Sequence, residues 1–216
     1  MKLSSKTEHI LSQISTTTKL GDLRKIAKEI KKDHELALEL WSTHSFLARL
    51  LAILIMDNKC ISQDTVNKLD QDMLTHPPEE RNQLMDWLMA NQLTKDKKTI
   101  ALIESWQNSV SPLQRRIFWY YQARLRWTGQ IPPPNSLELL NEIEAKITRE
   151  GPEVQWAMNF LAGWIGVYEK QYRDRCIAIG EKTGLYKGDM VSKGCTPNYL
   201  PEFIAIESNK RNLYSS

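Results

Sequence analysis

Apolar residues recur along this chain at intervals of three and four, the period of one face of an α-helix. Leu23, Ile26, Ala27 and Ile30 make the first such stripe, in a segment started by Gly21 or Asp22. Asp33 has the chemistry of an N-cap for His34–Ser42, with Leu36, Leu40 and Trp41 turned inward, and Ser45 that of a cap for Phe46–Met56. Gln63–Leu74 follows and stops at His76-Pro77-Pro78, because a residue before proline is pushed out of the helical region. Glu79–Asn91, Lys97–Gln107 and Pro112–Trp127 continue the series; proline suits a first turn, where its missing N–H has no helical partner to lose. The stiff connector Ile131-Pro132-Pro133-Pro134 leads to Ser136–Arg149 and Pro152–Ile165, joined at Glu150-Gly151, and Glu169–Thr183 closes the pattern. No segment alternates with period two and β-branched enrichment, so the pattern predicts an all-α chain.

The second helices of successive pairs start near Ser45, Glu79, Pro112 and Pro152, which are 34, 33 and 40 residues apart. Such spacing fits an α-solenoid of HEAT-like helical repeats, with a plain helical bundle as the alternative. A curved stack would offer its second helices as a concave surface. After Gly184 the pattern breaks, since Tyr186–Ile204 holds Gly188, Gly194, Pro197 and Pro201 and no clean stripe. Leu185, Tyr186, Tyr199, Leu200, Phe203 and Ile204 nevertheless need burial. The reading is a helical repeat domain over 1–184 and an irregular C-terminal extension over 185–216, packed on the last repeat and frayed from Ser208 to Ser216.

Composition then narrows the class. With 216 residues, 41% hydrophobic and 25% charged, the chain is a folded one. Its 29 basic and 26 acidic residues leave a charge of +3, too mild for a polycation that coats nucleic acid. The longest apolar run, Leu47–Met56, falls short of a membrane span and contains Arg49; Met1–Ile10 has no signal-peptide core. Cys60, Cys176 and Cys195 are odd in number and widely spaced, so a disulfide framework and a CxxC pair are excluded and a reducing cytoplasm is expected. His9, His34, His44 and His76 lack paired ligand spacing, and no phosphate-cradling glycine loop or GxSxG elbow occurs, so neither metal nor cofactor is expected.

The window Ser105–Leu137 stands apart: it has no acidic residue but holds Arg115, Arg116, Arg124 and Arg126 with Trp119, Tyr120, Tyr121 and Trp127. Leu113, Ile117, Tyr121 and Leu125 or Phe118 form a core face, while Arg115, Trp119, Gln122 and Arg126 fall on another at helical spacing. Guanidinium groups grip phosphates bidentately and flat rings stack on bases or sugars. Taken alone, this stripe reads as a solvated face, arginine stems over apolar surface, before it reads as a nucleic-acid contact. Trp87 and Asn91 share a face of Glu79–Asn91, and Trp156 and Phe160 share one of Pro152–Ile165. Core packing accounts for any one such ring; an aromatic beside a polar group on three successive second helices points to a surface.

Leu23-Arg24-Lys25-Ile26-Ala27-Lys28, Asp33-His34-Glu35-Leu36-Ala37-Leu38-Glu39-Leu40-Trp41 and Ala48-Arg49-Leu50-Leu51-Ala52 resemble the opening repeats of AlkD-like DNA alkylation repair proteins. Leu113-Gln114-Arg115-Arg116 and Val154-Gln155-Trp156-Ala157-Met158-Asn159 look like that family's later second helices, and Gly194-Cys195-Thr196-Pro197-Asn198-Tyr199 like a tail found in a subset of it. The resemblance spans about Gly21 to Ile206. It implies a HEAT-like solenoid that binds duplex DNA in a concave basic groove and releases N3- or N7-alkylated purines without pulling the base into a pocket. In such members a carboxylate stabilises the oxocarbenium-like sugar, tryptophans pack against that sugar and an arginine holds a phosphate. Carried over residue by residue, the tryptophan and the carboxylate four residues on correspond to Trp87 and Asn91, the arginine to Arg115 and a second tryptophan to Phe160. Phenylalanine keeps an aromatic wall, but a neutral amide neither offsets positive charge nor acts as a base. The resemblance thus implies an alkylpurine DNA glycosylase weakened at Asn91, with Trp87, Arg115, Arg116, Trp119, Arg126, Trp156 and Phe160 on alkylated or branched duplex DNA. The alternatives are a DNA-structure-binding repeat protein without chemistry and a protein-binding scaffold; a cytoplasmic monomer without membrane contact is expected.

Overall fold

The computed structural model describes residues 3–127 and 132–213. Within them the regular elements are all helical, with no strand, and 184–199 is irregular: α1 (Ser5–Ser12), α2 (Leu20–Ile30), α3 (His34–Ser42), α4 (Phe46–Ile55), α5 (Gln63–Met73), α6 (Pro78–Leu88), α7 (Lys97–Ser105), α8 (Pro112–Trp127), α9 (Ser136–Lys146), α10 (Pro152–Tyr168), α11 (Arg173–Thr183) and α12 (Leu200–Lys210). The expected element ends at 91, 107 and 149 lie in short irregular turns: a π-helical Met89–Leu93 after α6, and 3-10 turns Trp106–Asn108 and Ile147–Arg149. Ile131 of the proline connector lies outside the described residues.

The chain gathers into two compact units, Met1–Trp106 and Gln107–Ser216. In the first, α2, α4 and α6 pack in succession, α3 pairs with α4, α5 with α6, and α1 lies on α3. The Asp33 carboxylate accepts from the Leu36 N–H at 3.1 Å, capping α3, while the Asp33 N–H donates to the Ile55 carbonyl at 2.9 Å, tying that cap to the end of α4. Leu23, Leu36, Leu40, Leu50, Leu51, Ile53 and Leu84 fill the interior. Arg49 is fully buried among them. It satisfies its donors on the carbonyls of Trp41 and Asp72, on Thr75 Oγ1 and on His44 Nδ1.

In the second unit α8, α10 and α12 pack in succession, with α9 against α10 and α11 against α10 and α12. Helix α12 corrects the sequence reading, which foresaw an irregular chain here and fraying from Ser208. Leu200, Phe203 and Ile204 are buried on the α12 face, and Ser208 has no exposed surface. Residues 214–216 of the expected frayed end lie outside the described residues. The stripe is hard to read in sequence because Glu207 and Ser208, which continue the buried face, are polar, and the seat it packs on includes glycines. A Cβ on Gly163 would come within 2.8 Å of the Phe203 ring, and one on Gly180 within 2.7 Å of Leu200 Cβ and Pro201 Cδ. Gly184, at φ +64°, ends α11 in the left-handed conformation, with its N–H on the Gly180 carbonyl at 2.9 Å.

Candidate functional site

In the first unit the pair Trp87 and Asn91 sits where α6 runs into its π-helical turn. Such a turn widens the helix by one residue and is frequent at functional sites. The Trp87 indole N–H donates to the Leu50 carbonyl of α4 at 3.2 Å, and the Arg24 guanidinium of α2 lies 4.6 Å from the ring centroid. Asn91 Nδ2 donates to the carbonyl of Trp87 itself at 2.8 Å. The next residue fastens the turn to α4: Gln92 Nε2 donates to the carbonyls of Ile53 at 2.6 Å and Met56 at 3.2 Å. An amide therefore has a local reason to stand at position 91. A carboxylate has no hydrogen to give to the Trp87 carbonyl.

In the second unit α8 does not present the stripe read from the sequence. Arg115 remains partly accessible, but Trp119 is only 1% exposed, Gln122 3% and Arg126 4%. This corrects the expected solvent face, and for Arg126 the physical reason lies largely on other elements. Trp119 packs edge-on against Phe118 at 5.0 Å. Arg126 Nε meets Glu169 Oε1 at 3.0 Å, Nη1 donates to the Gln122 carbonyl at 2.9 Å, and Nη2 to Ser136 Oγ at 2.6 Å and Asn135 Oδ1 at 3.2 Å. Burial pulls the Arg126 guanidinium below its ordinary pKa, and the Glu169 carboxylate opposes that. Arg115 is also committed: it grips Glu150 through Nε at 3.1 Å and Nη2 at 2.8 Å and donates through Nη1 to the carbonyls of Ser109 and Val110. Arg116, buried, donates to the Glu153 carbonyl at 3.0 Å and lies 4.5 Å over the Trp156 ring.

What α8 and α10 do build is an aromatic cluster. Phe160 is its hub: it stacks on Trp156 at 4.9 Å and 13°, and meets Trp127 at 5.4 Å, Tyr120 at 5.8 Å, Trp164 at 5.9 Å and Phe203 at 6.0 Å. Tyr120, Trp127, Trp156 and Phe160 are each half-buried, so the cluster is core on one side and surface on the other. Tyr120, Trp127 and Trp164 were not singled out as site residues. The signal was available for Trp164, which continues the spacing of Trp156 and Phe160 by a further turn. Arg24 was missed because nothing local connects α2 with α6. Among the described residues no group of His, Cys, Asp and Glu is placed to hold a metal, and no helix is long and apolar enough to cross a membrane.

Helix pairs packed in sequence order, with aromatic and cationic side chains on their second members, define a helical-repeat protein of the HEAT-like class. The chain belongs to the DNA alkylation repair enzyme family, whose model matches residues 15–172. A solved structure described as belonging to a new family related to the HEAT-like repeat DNA glycosylases, with affinity for branched DNA structures, has the same fold. It superposes with a TM-score of 0.70 at 19% identity, covering 98% of this chain and 91% of the other. Comparison with curated protein sequences finds no match.

Proposed function

We propose that this chain is a DNA-binding member of its family in which base excision is lost or severely weakened. One observation carries the reading. At the position that the family resemblance assigns to the catalytic carboxylate stands Asn91, and its amide is bonded to the Trp87 carbonyl at 2.8 Å. Excision of an alkylated purine builds positive charge on the sugar, and a removed carboxylate of this kind is worth roughly 3 kcal/mol, about a hundredfold in rate. A neutral amide already donating to its own helix supplies neither the charge nor a base.

DNA binding is supported by the family match and by the half-buried rings around Trp156 and Phe160, which suit stacking on sugars or exposed bases. The fold shared with a protein of affinity for branched DNA makes branched duplexes the first ligand to try. The experiment has two arms on the purified chain. Base release from methylated duplex is measured beside an active glycosylase, for wild type and Asn91→Asp, and binding is measured to a four-way junction and to a linear duplex. The expected result is binding in both cases, tighter to the junction, with no release by wild type and a measurable gain on Asn91→Asp. Release by wild type at the rate of the active enzyme overturns the reading, and so does failure to bind either DNA.

A further inference from the structure

Helix α2 carries an uncommitted positive surface in the first unit. That unit contains fifteen basic and fifteen acidic residues, so it has no general excess of charge, and any basic surface on it is local. Between Leu20 and Lys32 stand five basic residues against two acidic ones. Two of the five are paired: Lys25 with Asp22 at 3.1 Å and Lys32 with Asp57 at 3.3 Å. Arg24, Lys28 and Lys31 are exposed and have no carboxylate partner among the described residues. Arg24 and Lys28 are one helical turn apart on the same face, and Lys31 follows at the C-cap.

The contrast with α8 is informative. Arg115 and Arg126 have carboxylates within 3.0 Å, and Arg116 is buried against a carbonyl and a ring. A phosphate would have to compete with those partners. On α2 it would not. Arg24 is also positioned, because its guanidinium rests 4.6 Å from the Trp87 centroid while none of its N–H groups is bonded among the described residues. A cation resting on a ring has already given up part of its freedom, which lowers the entropy cost of holding an anion. The three cations span about 10 Å of helix axis. One DNA strand presents a phosphate about every 3.4 Å of its rise, so the stripe matches a short run of consecutive phosphates.

We propose that Arg24, Lys28 and Lys31 form a docking strip for the sugar-phosphate backbone of DNA, adjoining Trp87. The inference rests on the DNA-binding reading above and assigns its electrostatic contact in the first unit. The strip grips by charge and carries no base readout, so it serves linear and branched duplexes alike.

The test uses the full chain, a short labelled duplex and a salt series between about 50 and 200 mM. Wild type is compared with Arg24→Gln/Lys28→Gln/Lys31→Gln and with Lys25→Gln/Lys32→Gln, which removes charge from the same helix at paired positions. The triple variant is expected to lose roughly two to three units of the slope of log K against log salt, and about tenfold or more in affinity at the low-salt end. The paired-lysine variant is expected to lose less than one unit. All five side chains are exposed, so thermal unfolding should be unchanged and loss of binding is not loss of fold. A triple variant with the wild-type slope overturns the strip while leaving the DNA-binding reading intact. Absence of wild-type binding to any duplex overturns that reading, and the strip falls with it. Binding of wild type but not the triple variant to anionic vesicles, with an unchanged DNA slope, assigns the strip to a membrane surface and overturns the proposal.

Discussion

At the scale of single residues, the side chains with the most chemistry in them are often held by their own fold. Arg126 is the clearest case. Read from the sequence it belongs to a basic face; in the structure it is a buried cation closed by Glu169, Ser136, Asn135 and the Gln122 carbonyl. Removing the guanidinium leaves the partly buried Glu169 carboxylate without its cation, and the Ser136, Asn135 and Gln122 oxygens without their donor. Arg126→Ala is therefore expected to cost about 3–5 kcal/mol in urea unfolding, with DNA affinity per folded molecule unchanged. A fully stable Arg126→Ala protein with reduced DNA affinity would return the side chain to the binding surface. Asn91 makes the same point with the opposite sign. Its amide hydrogen is structural, so Asn91→Asp is expected to cost about 1–2 kcal/mol even where it restores charge to the site.

At the scale of elements, α12 and α1 are fastened by different physics. Helix α12 docks by shape, on glycines. Alanine at Gly180 would gain about 1 kcal/mol of helix propensity, yet its Cβ would meet Leu200 Cβ and Pro201 Cδ at 2.7 Å, atoms with little freedom to move aside. Gly180→Ala is expected to lower the thermal midpoint and to raise hydrogen exchange along α12; an increase in stability would show that the seat is looser than its geometry. Helix α1 docks by polar contacts to α3. Glu39 accepts from Thr7 Oγ1 at 2.5 Å and from the N–H and hydroxyl of Ser4, and Lys6 Nζ lies 2.5 Å from Asp33. The Thr7 hydroxyl first and then Ser4 hold the Glu39 carboxyl below its usual range; Lys6 first and then the Leu36 N–H do so for Asp33. A carboxylate depressed in the folded state stabilises above its unfolded pKa and loses that contribution as pH falls through the folded one. Helix α1 is thus expected to loosen below the ordinary carboxylate range while α3 and α4 persist, seen as early loss of amide protection confined to Ser5–Ser12. Protection that survives until global acid unfolding would refute this.

At the scale of the whole molecule, the three thiols report on opening. Cys60 and Cys195 are exposed, whereas Cys176 is buried in the second unit, and burial pushes its thiol up to about 12. Two thiols are expected to react promptly with a thiol reagent at neutral pH. The third should react at the rate at which its surroundings open, and rise with denaturant. Three fast thiols would mean that the α10–α11–α12 packing opens far more readily than its burial implies.

The helical class, the boundaries set by Asp33 and the prolines, and the start of the second helices near 45, 79, 112 and 152 were legible in the chain itself. These features depend on contacts three or four residues apart, on caps and on backbone restriction, and they are fixed before any distant residue is met. Trp87 with Asn91 and Trp156 with Phe160 were legible for the same reason. What only the tertiary structure decided is which face of a helix meets water. The periodicity of α8 separates its faces, but Glu169 and Ser136, on other elements, determine that Arg126 is interior. Likewise α12 carries too weak a stripe to be read alone, because Glu207 and Ser208 continue its buried face as polar residues, and the glycines that seat it, Gly163 and Gly180, lie on other helices. Arg24 comes to Trp87 only through the packing of α2, α4 and α6. Burial and charge pairing are properties of pairs of elements, and a one-dimensional pattern holds only one member of each pair at a time.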